Sequence, residues 1–226
     1  LKNSEKSRIA RVLEGSGGGG HGDYPAEMSV SGFKGHSRAY VKIQDGCENR
    51  CSYCKVPLVR VRLKSKPIKD ILSEVGSLVR NGFNEIVLTG ICLGAWGKDP
   101  DAGQFPNSAG LKGANLVDVL KALDGLGDNF RIRLSSIEPG YITGELIEFM
   151  ASHTRICAHL HIPFQSGDDD ILKLMNRPYT SGEYMAIVES VRASIPDIAI
   201  TTDILLGFPG ETDDDFTATM DVARKM

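Results

Sequence analysis

The chain has 226 residues, is 41% hydrophobic and carries a formal charge of −3. That apolar content can build a core without disulfide staples, and so mild a charge gives no global reason to expect nucleic acid or an acidic membrane. No apolar run approaches the roughly 18 residues of a membrane span, and "LKNSEKSRIA" lacks the apolar stretch of a secretory signal. A cytoplasmic protein is expected. In that reducing compartment five cysteines, an odd number, read as metal ligands or core thiols rather than disulfides.

In chain order, residues 1–13 hold a short helical pattern with Ile9, Val12 and Leu13 on one face. It is too small for a domain and reads as the remnant of one. Residues 14–32, opened by "EGSGGGGHGDYP", form a Gly-rich linker. From 33 to 226 strands and helices alternate. "AYVKIQ" (39–44), "EIVLTG" (85–90), "RIRLSS" (131–136), "HLHIPF" (159–164) and "IAITTDILLG" (198–207) read as strands. The clearest helix starts at Pro67, places Ile68, Ile71, Leu72, Val75, Leu78 and Val79 on one face, and closes at Asn81–Gly82. Further helices fit Leu116–Leu126, Thr143–Ser152 and Glu183–Ser194, the last with Thr180 and Glu183 as a capping box. A final helix starts at Thr212, with Asp215 as its capping partner, and has no Gly or Pro exit. The chain reads as an internal piece of a longer protein.

Repeated strand–helix–strand units mean right-handed crossovers and a parallel sheet. The expected fold is α/β: a partial, open (β/α) barrel of five parallel strands whose last unit is truncated. Chemistry in such arrays sits at the carboxyl ends of the strands, where the sequence collects Thr89–Gly90, "SSIEPG", "QSG" and "GFPGE". Period-two alternation also places Arg131, Arg133 and Ser135, then His159, His161 and Gln165, on one face of their strands. That row suits a wide barrel with a wet lumen better than a closed apolar one.

Cys47, Cys51 and Cys54 follow the first strand in CxxxCxxC spacing. Structural zinc takes four ligands in spaced pairs, and no second pair exists here. A thioredoxin-type redox site needs two cysteines. Three thiolates suit a cubane iron–sulfur cluster with one iron left open for a substrate or cofactor, whereas four would saturate it.

With Tyr53 just before the third cysteine, this segment resembles the radical S-adenosylmethionine enzymes. "FKGHSRAYVKIQDGCENRCSYCKVPLVR", "EIVLTGICLGAWGKD", "RIRLSSIEPG", "HLHIPFQSGDDDILKLMNRPYT" and "TTDILLGFPGET" are similar, in order, to the methylthiotransferase branch that modifies tRNA or ribosomal protein. "SGFKGHSRAYVKIQDGC" is most similar to members acting on threonylcarbamoyladenosine beside the tRNA anticodon. The resemblance covers nearly everything from Phe33 onward. It implies that Cys47, Cys51 and Cys54 bind a [4Fe–4S] cluster whose open iron is chelated by S-adenosylmethionine. It also implies that Tyr53 lies along the adenine, that Thr89 and Gly90 meet the methionine amino group, and that Glu138 and Gln165 serve the ribose and carboxylate. Reductive cleavage by an external electron donor would then yield a 5′-deoxyadenosyl radical that abstracts hydrogen from the substrate.

Departures from the family are also visible. Full-length members hold a second [4Fe–4S] cluster on three cysteines of an N-terminal domain. Here Cys92 and Cys157, 65 residues apart, cannot hold one, and both read as small buried hydrophobes. Cys92 stands where the family often has Asn, and Val61 where it usually has Gly. The C-terminal RNA-binding barrel is absent as well. From Arg50 to Lys69 there are seven basic residues and no acid, among them Arg60, Arg62, Lys64 and Lys66; this is either an RNA-phosphate patch or a solvated charged loop. The acidic triplets Asp168–Asp170 and Asp213–Asp215 read as helix caps. The expected partner is tRNA, through the full-length protein, and the chain is expected to be monomeric. The competing readings are a radical enzyme for isopentenyladenosine tRNA or ribosomal protein, and a non-catalytic metal-binding scaffold.

Overall fold

The computed structural model describes residue 32 and residues 35–60, 62–99, 113–127 and 129–226. The expected helix within 1–13, the linker and Val61 therefore lie outside the described residues. Five parallel strands carry the fold: β1 (Ala39–Lys42), β4 (Glu85–Thr89), β5 (Arg131–Leu134), β6 (His159–His161) and β7 (Ala199–Thr201). β4 pairs with both β1 and β5, and β6 pairs with β7. Single bridges at Ile132–Ile156 and Ser136–His161 join the two groups. Spatial order thus follows chain order, the winding of a barrel rather than of a sheet with a switch point. The expected open array is observed, and no closed barrel forms among the described residues.

Helices α2 (Ile68–Arg80), α3 (Leu116–Asp124), α4 (Gly144–Ser152) and α6 (Ser181–Ser194) pack one against the next. Ile71, Val75 and Leu78 from α2, Val119, Leu120 and Leu123 from α3, and Leu146 from α4 are buried with Ile86, Leu88, Ile132 and Leu134 of the strands. Full burial of each such side chain stabilises by about 1.5–3 kcal/mol. The capping signals sit where the sequence places them: Thr180 with Glu183 opens α6, and Thr212 with Asp215 opens α7 (Asp213–Lys225). Asp168 accepts from the N–H groups of Asp170 and Ile171 at the start of α5 (Asp169–Leu174). Gly82, at φ 92°, supplies the left-handed exit of α2. Pro67 differs slightly: its extended ψ of 141° makes it the cap, and the helix begins at Ile68.

The other face of the strands is polar, as the alternation predicts. Glu85 sits at its centre, its side chain buried, and pairs with Arg38, Arg131 and Arg133 at 2.7–2.9 Å. Arg133, the nearest donor, holds the Glu85 carboxyl below its ordinary range against the opposing effect of burial. On the next strand His161 reaches Thr201 Oγ1 at 3.0 Å and Asp203 at 3.2 Å.

One element escaped the periodicity. The first strand breaks at Ile43, and β2 (Gln44–Asp45) pairs antiparallel with β3 (Lys64–Ser65). That ladder closes the base of the loop holding the cysteines and the short helix α1 (Val56–Val59). Two residues per strand leave no alternation to read.

At the other end, α7 locks the turn after β6. Thr219, fully buried, accepts from the Gly167 N–H at 2.8 Å and bonds Ser166 Oγ at 3.2 Å. A Cβ on Gly167 would stand 2.5 Å from Thr219 Cα and 2.9 Å from the Ala218 carbonyl oxygen, both backbone atoms. Gly167→Ala is therefore expected to push α7 off this turn and cost about 1–3 kcal/mol, read as a lowered urea midpoint with an unchanged slope.

Candidate cluster and cofactor site

The cysteine loop leaves the carboxyl end of the β1 strand, and three anchors fix it there. Gln44, fully buried, donates from Nε2 to the Asp45 and Gly46 carbonyls at 2.7 and 2.9 Å, and its Oε1 accepts from the Cys92 N–H at 2.8 Å. This ties the loop's start to the turn after β4. A Cβ on Gly90, in that turn, would lie 3.0 Å from Gln44 Cβ and Leu93 Cα, so only glycine passes easily.

The second anchor lies 122 to 126 residues away. The Ser52 N–H and Oγ donate to the carbonyls of Met175 (3.1 Å) and Leu174 (2.9 Å), and Asn176 Nδ2 donates to the Arg50 carbonyl at 2.7 Å. Asn176, at φ 56°, ends α5 in a left-handed conformation that asparagine tolerates.

The third is Arg177, whose side chain is only 2% exposed. Its Nη1 donates to Cys51 Sγ at 3.1 Å and to the Tyr53 hydroxyl at 3.4 Å, its Nη2 pairs with Glu138, and its Nε donates to the Tyr179 hydroxyl at 3.1 Å. Tyr179 in turn donates to the carbonyls of Pro163 and Phe164 at the end of β6. Burial works against the charge of Arg177, but Glu138, Tyr179, Tyr53 and Cys51 outweigh it and hold the guanidinium above its ordinary value. Burial pushes the Tyr53 phenol up to about 12.

The structure thus gathers Cys47, Cys51, Tyr53 and Glu138 around Arg177; Cys54 joins them through its N–H bond to the Cys51 carbonyl, and Gly90 packs against Gln44. Gln165, at the end of β6, sits at φ 71°, a conformation that costs a non-glycine residue about 1–3 kcal/mol. It is held by its N–H on the Asp203 carbonyl and by the Leu205 N–H on its own carbonyl, both 2.9 Å. Sequence reasoning missed Gln44, Arg177 and Thr219. The one signal was Arg177 inside a motif that carried the resemblance, and its side-chain partners all lie elsewhere in the chain except Tyr179.

Cys92 is the small buried core residue the sequence reading expects, clustered with Leu63 and Ala95. Its thiol hydrogen-bonds Cys47, and that contact, the largest effect, lowers Cys47 to about 7. The same contact, with burial, pushes Cys92 far up. Of the two thiols, Cys47 is the one drawn down and Cys92 the one pushed up. Cys157 departs from the buried reading: it is half-buried, near Arg133, and lines a cavity of about 560 Å³ at the amino ends of β5 to β7.

The basic loop is corrected in part. Lys66 is buried and pairs with buried Glu74, so its ammonium is a core group with no face left for a phosphate. Arg60 pairs with Asp45 at 2.8 Å, while Arg62 and Lys64 are exposed. The acids that neutralise this loop lie outside it in sequence.

The donor set fits a cubane cluster. Around one zinc ion, thiolates converge to roughly 4 Å of one another; among the described residues no three His, Cys, Asp or Glu side chains do so for a single ion. Three thiols without a fourth protein ligand would hold a cubane cluster with one iron left open. Arg177 places a positive charge 3.1 Å from the half-buried sulfur of Cys51.

If Cys92 sets the Cys47 proton affinity, iodoacetamide labelling of Cys47 in the metal-free chain should reach half its maximal rate near pH 7. Cys92→Ala should move that midpoint upward, toward an ordinary thiol, because the thiolate loses its donor.

Comparison with known proteins agrees with this geometry. Residues 41–223 match the model of the Radical SAM superfamily. The chain is 40% identical over 204 residues to the threonylcarbamoyladenosine tRNA methylthiotransferase MtaB of Thermotoga maritima, covering 89% of this chain and 44% of that protein. It is 44% identical over 193 residues to the tRNA-2-methylthio-N(6)-dimethylallyladenosine synthase of Carboxydothermus hydrogenoformans, covering 84% and 41%. It therefore spans less than half the length of these relatives. The fold superimposes on the radical S-adenosylmethionine methyltransferase TsrM of Kitasatospora setae with a TM-score of 0.62 at 18% identity, covering 83% of this chain and 32% of that one. With three thiols on the loop after its first barrel strand and the superfamily pattern running from Val41 to Ala223, the chain belongs to the Radical SAM superfamily.

Proposed function

We propose that this chain is the radical-generating core of a tRNA methylthiotransferase acting on threonylcarbamoyladenosine. The observation that carries the reading is the meeting of the Cys47–Cys54 loop with Glu138 through one buried guanidinium. Cys47, Cys51 and Cys54 would hold a [4Fe–4S] cluster, with S-adenosylmethionine on its open iron. Bound, these groups supply a 5′-deoxyadenosyl radical that takes a hydrogen atom from the substrate.

The chain's own residues bind and orient. Gly90 lets the backbone after β4 come close to the loop. Thr89, Gly90 and Gln165, at strand ends, would contact the methionine and ribose parts of the cofactor, and Tyr53 its adenine. Glu138, held by Arg177, would face the cofactor as a fixed carboxylate. The exposed Arg62 and Lys64 would meet tRNA phosphates, with Arg60 contributing beyond its pair with Asp45. The inserted sulfur would come from a second cluster in an N-terminal region of the parent protein. A low-potential donor would supply electrons, in the cytoplasm where tRNA is modified. Among the described residues no helix is long and apolar enough to cross a membrane.

Dimethylallyladenosine is the second reading, favoured by the 44% identity to the Carboxydothermus hydrogenoformans relative.

Anaerobic reconstitution with iron and sulfide should give about four irons per chain and 5′-deoxyadenosine on reduction with S-adenosylmethionine. Cys51→Ala should abolish both; a colourless zinc protein would overturn the reading. Nucleoside analysis of tRNA from cells lacking the parent gene should show loss of the methylthio group from threonylcarbamoyladenosine. Loss from the dimethylallyl nucleoside instead would select the second reading.

A further inference from the structure

Arg177 spends its hydrogen-bonding capacity in an uneven way. A residue that only braced the loop could do so from the surface, through backbone carbonyls, as Asn176 does. Arg177 instead puts a buried Nη1 at 3.1 Å from the sulfur of Cys51. The rest of the fork is taken by Glu138 and the two tyrosine hydroxyls. Its position is over-determined: the Arg177 N–H donates to the Leu172 carbonyl at 2.9 Å, and Tyr179 is pinned to Pro163 and Phe164. With four partners on a planar fork, the guanidinium cannot turn away from the sulfur without breaking the others.

Hydrogen bonds and positive charge at a ligand sulfur stabilise the more negative, reduced form of an iron–sulfur cluster and raise its potential. In a buried setting solvent screens the guanidinium little; Glu138 offsets part of its charge, while the Nη1 hydrogen bond is aimed at the Cys51 sulfur. Cys51 is half-buried, and its neighbour in this role is a cation that does not lose its proton.

We propose that Arg177 is a positioning residue that sets the reduction potential of the cluster on Cys47, Cys51 and Cys54. Through Glu138 the same side chain couples that potential to the cofactor face. The inference rests on the cluster reading above. The electron step it governs is one-electron reduction of the oxidised cluster by an external low-potential donor, with no proton taken up by Arg177.

The test uses the reconstituted chain and its Arg177→Met, Arg177→Gln and Arg177→Lys variants. Iron content is measured first, then the midpoint by reductive titration followed optically and by electron paramagnetic resonance. Arg177→Met should keep about four irons and shift the midpoint to a more negative potential, with Arg177→Lys between it and the unaltered protein. 5′-Deoxyadenosine formation by Arg177→Met should fall several-fold with dithionite and recover with a stronger reductant such as titanium(III) citrate. A bracing residue would show neither the shift nor the recovery.

An unchanged midpoint in an iron-loaded Arg177→Met protein overturns the proposal and leaves the cluster reading standing. If that variant loads no iron, Arg177→Lys and Arg177→Gln decide, since both keep a donor and only one keeps the charge: equal midpoints overturn it. Loss of iron from all three, with circular dichroism unchanged, makes Arg177 a loading residue and overturns it too. An unaltered chain that takes up no iron brings down both readings together.

Discussion

Three segments far apart in sequence depend on one buried guanidinium. Arg177 touches the cysteine loop at Cys51 and Tyr53, the turn after β5 at Glu138, and, through Tyr179, the end of β6. A cation out of water is tolerated only when its partners satisfy it, and removing one partner of such a pair typically costs about 3–5 kcal/mol. Each segment is therefore held in place by the need to satisfy the others.

The remaining anchors act around that centre. Gln44 fixes the loop's entry and crowds Gly90, and Lys66 with Glu74 fixes the strand by which it returns. Thr219 of α7 holds the Ser166–Gly167 turn, which sits beside the left-handed Gln165. Strain of that kind persists only where neighbours enforce it, and here the neighbours are the carbonyl and N–H of Asp203 and Leu205. The open array leaves the inner face of its strands able to carry the Glu85 network, which a closed barrel filled with apolar side chains would exclude.

Charge is arranged in two separate places. Glu85 collects Arg38, Arg131 and Arg133 near the amino ends of the strands, while Glu138 and Arg177 pair at the carboxyl ends. The first network lines the open face and stabilises a row of arginines that would otherwise repel. The second faces the cysteines. Two of the thiols have partners of their own: Cys51 accepts from Arg177, and Cys47 is hydrogen-bonded to Cys92.

The sequence by itself determined the five strands, the amphipathic helices, the caps at Thr180 and Thr212 and the three-thiol loop. Each of these is written in local spacing: apolar positions at helical or strand period, a capping pair three residues apart, thiols within eight positions. It could not show that Lys66 is a core group, that Cys92 serves Cys47, or that Arg177 binds the loop. Those facts depend on partners 8, 45 and 126 residues away in the chain. Only the tertiary structure decides which charge ends buried beside which acid, because burial and pairing are properties of the packed chain and not of a segment.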